Sequence, residues 1–190
     1  MAELTELIDV LDEKGRKTNY KCTLSEAHSN GFWHHTCHIW FYDNTGNIIL
    51  QRRAKDSGTY SNLLDISSAG HIFSESNEIE TAEKEIFEEL GLKIDCDCLK
   101  KVCTIKSVKI IPELQKEDKE FNTIFLYKLN DLNIDFKLQK EELDCIDIKP
   151  LNQFESEIID PKKSKEYVDH GLDYYSKIIT EIKRSIKKNK

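Results

Sequence analysis

The stretch GHIFSESNEIETAEKEIFEELGL, residues 70–92, crowds acidic side chains onto a segment whose apolar residues mark a helix. Ile79, Ala82, Ile86 and Leu90 recur at spacings of three, four and four, so the pattern predicts a helix over residues 78–90. Gly91 stands where that helix should stop, because glycine takes the left-handed conformation of a C-terminal cap without a Cβ clash. Residues three and four apart are neighbours on a helix surface, which sets Glu85 against both Glu88 and Glu89. Like charges so placed cost about 0.2–0.5 kcal/mol per pair, and no lysine follows four residues after Glu85 or Glu88 to relieve them. A solvated acidic face is one explanation. A hard divalent cation is the other, since Mg²⁺ takes oxygen ligands and joins carboxylates to substrate phosphates.

The chain has 190 residues, enough for one well-cored domain with terminal additions. Its composition, 38% hydrophobic and 33% charged, belongs to a soluble globular protein rather than a disordered chain. The longest apolar runs, HIWFY and TIFLY, fall far short of the roughly 20 residues of a bilayer span. The acidic start MAELTELIDVLDE lacks a signal-peptide charge pattern, so a cytoplasmic protein without membrane attachment is expected. Six cysteines without a C-x-x-C pair suggest free thiols in a reducing compartment. A net charge of −7 argues against nucleic acid as a partner and favours a metal ion as the attraction for any phosphate. A small-molecule partner is expected, and a homodimer is compatible with the sequence.

Along the chain, LTELIDVLDEKGRKTN reads as a strand and hairpin arm turning at Gly15. HHTCHIWFYDNTGNIILQRR reads as a hairpin around Asp43-Asn44-Thr45-Gly46. LLDIS is a short strand leading to Gly70, and KKVCTIKSVKI, FNTIFLYKL and CIDIK are further strands. A C-terminal helix is predicted from about Pro161 to Lys187, on a stripe of Tyr167, Tyr175, Ile178, Ile182 and Ile186, with a basic end. The pattern is mixed α/β (α+β), with more strand than crossover helix.

Residues 70–92 resemble the Nudix box, G-x5-E-x7-R-E-U-x-E-E-x-G-U with U aliphatic. Gly70, Glu85, Ile86, Glu88, Glu89, Gly91 and Leu92 match, whereas Ser76 stands at the first Glu and Lys84 at the Arg. The flanks ELIDVLDEKG, WHHTCHIWFYDNTGNIILQRRAK and DISSAGH resemble the branch holding isopentenyl diphosphate isomerases and their bacterial hydrolase-like relatives. The resemblance implies a mixed central β-sheet sandwiched between α-helices, with an N-terminal β arm and a C-terminal helix. It runs from about residue 6 to 150, within what is read as a single domain, residues 1–190, with its core at about 30–160. It also implies Mg²⁺ or Mn²⁺ at Glu85, Glu88, Glu89 and Gly70, and hydrolysis of a diphosphate bond in a nucleoside diphosphate derivative or related organic pyrophosphate. Glu88, Glu89, Glu120 and Lys84 would serve catalysis, and Arg53 or Arg52 would contact phosphate.

Isomerases of that branch carry a cysteine immediately before the Gly-His of the box, and here that residue is Ala69, which cannot move a proton. An isomerase-like enzyme is therefore the secondary reading, and a non-catalytic Nudix-fold binder is a third. His28, His34 and His71, with Asp118 and Glu120, fall near the places where the branch draws a second metal site. Surface or hydrogen-bonding roles are their ordinary alternative. Glu120, opening a strand beside the box helix, could orient the attacking water. Alternate strand residues oppose each other, so only one of Arg52 and Arg53 can face a cleft, and Arg53 is preferred from the resemblance. The pairs within HHTCH lie three apart on a strand and point to opposite faces, which disfavours zinc there. Trp33 and Trp40 are expected to pack in the core, with a place in a substrate wall as the alternative. Lys84 keeps a charge but not the planar fork of arginine, so bracing of the glutamates is expected to loosen, with Glu75 or Glu78 standing in for the carboxylate lost at Ser76. Substrate choice is expected to lie in the loops around residues 55–62 and 106–119.

Overall fold

The run WHHTCHIWFY forms strand β3, Trp33–Tyr42, which is buried almost throughout. Its side chains alternate between two cores, as the period of two in a strand requires. Cys37, Ile39 and Phe41 enter one core, and Trp40 and Tyr42 the other. β3 therefore reads as a continuous apolar run because both of its faces are covered.

The computed structural model describes residues 6–56, 59–111, 115–132 and 134–188. Around β3 lie β1 (Leu7–Leu11), β2 (Lys17–Thr23), β4 (Asn47–Arg53), β5 (Leu64–Asp65), β6 (Ser68–His71), β7 (Lys100–Ile111), β8 (Lys116–Lys128) and β9 (Leu143–Pro150). Together they make one nine-stranded sheet. β3 runs parallel to β8 over ten paired positions, and the other pairings are antiparallel. The helix α2, Glu78–Leu90, lays Ala82, Ile86 and Leu90 on one face of the sheet. On the other face, α3 (Leu151–Ile158) and α4 (Leu172–Lys188) pack Phe154, Ile178 and Ile182 against Trp40, Ile124 and Leu126. This is the mixed sheet between helices that the sequence implies.

The turn after β3 forms as expected, with Gly46 at φ 92° and the Asp43 carboxylate accepting from the backbone N–H groups of Thr45 and Asn47. The strands it joins do not continue as a hairpin, because β3 and β4 pair at Tyr42 and Ile48 and then diverge. β4 turns to β9 and β5, while β3 takes β6 along Thr36–Ile39. Ser67, fully buried, spans the opening. Its hydroxyl accepts from the Phe41 N–H at 2.9 Å and donates to the Ile49 carbonyl at 2.5 Å.

Two helices are absent from the sequence reading. One is α1, Leu24–Asn30, capped by Thr23 and returned by Glu26 in a capping box. The T-x-x-E of residues 23–26 was a usable signal for it. The other is α3, whose short apolar stripe follows directly on β9. The C-terminal helix starts at Leu172 rather than near Pro161. Before it, Tyr167 bridges Leu64 in parallel and Val168 donates to the Leu64 carbonyl, which draws the chain into extended form. Tyr175, Ile178 and Ile182 do form the buried stripe. All six cysteines are free thiols, and no helix among the described residues is long and apolar enough to cross a membrane. Residues 57, 58 and 112–114 of the two expected specificity loops lie outside the described residues.

Replacing Ser67 by alanine strands a buried N–H and a buried C=O together. At about 1–3 kcal/mol for each orphaned group, Ser67→Ala is expected to lower unfolding free energy by several kcal/mol in urea titrations, with little change in m-value. A loss within the noise of the titration would show that the diverging strands need no bridge.

Candidate functional site

Asn77 starts α2 by accepting from the N–H groups of Ile79 and Glu80, and Glu80 returns to the Asn77 N–H. Gly91 ends it at φ 68°. With Ala82, Ile86 and Leu90 turned inward, Glu85 and Glu89 fall on the flank that meets β6. Glu89 is 4% exposed and accepts from the Ala69 N–H at 3.3 Å. Glu85 lies so close over Gly70 that a Cβ there would sit inside its carboxyl group, which is why glycine is required at a position of ordinary backbone conformation. No basic side chain pairs with Glu85 or Glu89 among the described residues. Burial, then the charge of Glu88, pushes Glu85 up to about 7, and burial pushes Glu89 up to about 8.

Glu88 and Lys84 lie outside the cleft. The Glu88 side chain is 49% exposed and 3.8 Å from Lys84, whose ammonium is also 3.4 Å from Glu6 and over the Phe73 ring. Relief for the acidic row thus comes from the lysine four residues before Glu88, a direction the sequence reading passed over. Glu75 pairs with Lys21, and Glu78 is held by Lys101 and Thr123. Neither substitutes for a carboxylate at Ser76, where the loop is fixed instead by the Ser76 N–H on the Phe73 carbonyl and by the Asn77 cap.

The cleft in front of Glu85 and Glu89 has a volume of about 630 Å³. Gly70, Arg53 and Glu120 line it, whereas Arg52 turns to the Asn62 carbonyl. Arg53 donates to the Thr59 carbonyl at 3.0 Å and lies 3.4 Å from Asp65. Glu142, an exposed residue just before β9, also lines the cleft and adds to the charge pressing on both box glutamates. Neither tryptophan does: Trp40 is core, and Trp33 packs on Phe121.

Beyond Gly70 the strand delivers His71 into a second cluster. The rings of His28 on α1, His34 on β3 and His71 lie 5.3–5.7 Å apart between centroids. The Nε2 atoms of all three are buried without a hydrogen bond, as is Asp118 Oδ1 on β8. His28 and His34 each stand 3.6 Å from Asp118, and His71 stands 3.9 Å from Glu120. These separations are too long for hydrogen bonds. They suit ligands sharing one ion, since donors bonded at about 2.1 Å to the same ion lie a few ångströms apart. Burial, then the other imidazoles, lowers His71 to about 3 and moves His28 down as well. Burial, then Glu120, raises Asp118, while Lys109 and the imidazoles hold Glu120 low against its own burial. Glu120 is fixed by Asn122, which donates to it and to Thr36 while accepting from Ser107.

The chain matches the NUDIX domain family over residues 33–169. It belongs to the Nudix family. It is 30% identical to Nudix hydrolase 3 of Arabidopsis thaliana over its whole length, and 35% identical to an uncharacterized Nudix hydrolase of Clostridium acetobutylicum over 73% of its length. The chain spans 24% of the Arabidopsis relative and 66% of the Clostridium one. Among solved structures, it superposes on the DR0079 protein of Deinococcus radiodurans with a TM-score of 0.64 at 14% identity, covering 94% of this chain and 98% of that one. It superposes on the Nudix domain of Shewanella oneidensis NrtR, complexed with ADP ribose, with a TM-score of 0.58 at 12% identity, covering 85% and 99%. These structures establish the Nudix fold. The relatives do not single out the isomerase branch.

Glu85 and Glu89 fit a hard cation: they are oxygen donors, half-buried and buried respectively, without an ion-pair partner among the described residues, and Glu85 is held against a backbone bared by glycine. Their raised pKa values carry a pH signature. The fold favours the protonated carboxyls, so this contribution is complete below the usual carboxylate range and is lost as pH rises through about 7 to 8. In EDTA, thermal stability is expected to fall from pH 6 to pH 9, with Mg²⁺ or Mn²⁺ restoring it at the alkaline end and Glu89→Gln flattening the slope. A slope unchanged by that substitution would place the titration elsewhere.

Proposed function

We propose that this Nudix protein acts as one domain and hydrolyses a diphosphate bond in a small organic pyrophosphate, a nucleoside diphosphate derivative or a related compound. The observation that carries this reading is the pair of Glu85, half-buried, and Glu89, buried, both without cationic partners among the described residues and beside Gly70 in a cleft of about 630 Å³. These residues and the Gly70 backbone would hold Mg²⁺ or Mn²⁺, and Glu88, outside the cleft with its charge felt at Glu85, would join them from the rim. When bound, such an ion neutralises a diphosphate and lowers the pKa of water. Lys84 acts through Glu88 as a positioning residue. Arg53 contacts phosphate on the cleft side, and Arg52 does not. Glu120 accepts from Asn122 and stands with the histidine cluster, so orientation of the attacking water falls to Glu142, the exposed carboxylate beside the box pair.

The orphaned Nε2 atoms of His28, His34 and His71 and the Asp118 oxygen support a second cation there, completed by Glu120. Imidazole donors favour a transition metal such as Mn²⁺ or Zn²⁺ over Mg²⁺. Ala69 offers the cleft only a methyl group, so no carbon acid is available where the isomerase reading needs one.

A panel of nucleoside diphosphate derivatives and other pyrophosphates, assayed with Mg²⁺ and with Mn²⁺, tests the reading. Glu89→Gln is expected to reduce kcat by about 10² or more with the circular dichroism unchanged, roughly 2.7 kcal/mol of transition-state stabilisation. Stabilisation by a compound that is never cleaved would make the protein a binder instead. In a separate measurement, metal analysis of purified protein should find a transition metal that His34→Ala loses and Glu89→Gln retains. Equal content in both variants and the wild type would remove the histidine cluster as a site.

A further inference from the structure

Lys109, on β7, reaches into the cleft with a side chain that is 15% exposed. An ammonium carries three donors. Among the described residues one of them is used, on His170 Nδ1 at 2.9 Å. The nearest carboxylate oxygen, Glu120 Oε2, is 4.0 Å away and already accepts from Asn122. His170 is itself held: its Nε2 lies 2.8 Å from Asp65 Oδ1. Since an ammonium can only donate, His170 Nδ1 accepts and Nε2 carries the proton given to Asp65. Burial, then Lys109, keeps this ring neutral. The lysine is therefore aimed by a neutral side chain, and its two remaining donors are left without a hydrogen bond among the described residues, beside Glu120.

His38 stands 5.3 Å from His170 between ring centroids and lines the same wall. Tyr174 fixes its tautomer. The Tyr174 hydroxyl takes the Trp40 indole N–H at 3.1 Å and has its own proton for His38 Nδ1 at 2.8 Å. Burial then holds His38 neutral, and Nε2 is left as an N–H donor. Two donors of different elements, each oriented by a residue of the C-terminal segment, thus converge on one part of the cleft. His170 and Tyr174 both lie just past residue 169, where the match to the family ends.

We propose that Lys109 and His38 form an oxyanion subsite for a phosphoryl group of the substrate other than the one attacked at the box carboxylates, with His170, Asp65 and Tyr174 as positioning residues. The subsite is separated from Glu85 by the sequence of contacts Gly70, His71 and Glu120. It selects diphosphates that carry a further phosphate over those ending in a neutral group. The proposal rests on the reading of the cleft as a diphosphate site, yet it is testable without turnover.

Inorganic phosphate titrated into the protein in EDTA, followed by calorimetry, should bind the wild type. Lys109→Gln is expected to weaken it tenfold or more, Lys109→Arg less than threefold, and Lys119→Gln, a lysine paired with Glu117, not at all. Should Lys109→Gln fail to fold, His170→Asn, which keeps the ammonium and removes its orientation, must show the weakening. Absence of phosphate binding by the wild type, unchanged affinity in Lys109→Gln or in His170→Asn, or binding that needs Mg²⁺ equally in wild type and Lys109→Gln would overturn the subsite. A protein that binds phosphate here yet cleaves no diphosphate would lose the functional reading and keep this one.

Discussion

The Ser67 hydroxyl holds together two strands that no longer hold each other. β3 and β4 leave their shared turn and separate, and buried backbone groups left by such a separation need partners. Ser67 serves Phe41 with an acceptor and Ile49 with a donor at one atom. The opening it stabilises admits β6, which carries Ala69, Gly70 and His71 to the cleft. Had the hairpin continued as an ordinary ladder, Gly70 could not lie beneath Glu85, and the box helix would face a closed sheet.

Around this strand the molecule concentrates ionisable groups that are poorly satisfied on their own. On one side of the Gly70–His71 step stand two carboxylates without a cation, and on the other stand three imidazoles and an aspartate without hydrogen bonds at the inward atoms. Other buried polar side chains are closely satisfied: Asn122 uses both donors and its acceptor, and Lys149 is met by Glu157 and Tyr167. The contrast matters because unpaired buried groups are costly and native folds keep few of them. The gathering of three imidazoles and an aspartate around one point beside the cleft is the physical mark of a site built for ligands.

The C-terminal segment completes that cleft instead of merely covering the sheet. Tyr167 and Val168 join the Leu64 backbone, and His170 then meets Asp65 on the strand end that Leu64 begins. Aromatic packing of Tyr174 and Tyr175 on Trp40 and Phe154 anchors α4, so the orientation of cleft groups depends on the same core that stabilises the fold.

What the sequence determined by itself was local: the box helix with its glycine stop, the glycine at position 70, the strands, and a mixed architecture. Each rests on spacings within about twenty residues, where periodicity and backbone preference act directly. The capping signal at Thr23 and Glu26 was equally local and was legible too. Tertiary structure alone decided which charges are buried together. It turned Glu88 and Lys84 outward and Arg53 inward, and it tied up Glu75 and Glu78 elsewhere. It brought Lys109, Asp65 and His170 into contact from three distant segments. Tyr174 reaches His38 across 136 residues, a pairing with no trace in spacing. The reason is physical: whether a carboxylate or imidazole is desolvated, paired or left facing a cleft depends on which strands lie beside it, and that pairing is set by long-range closure of the sheet.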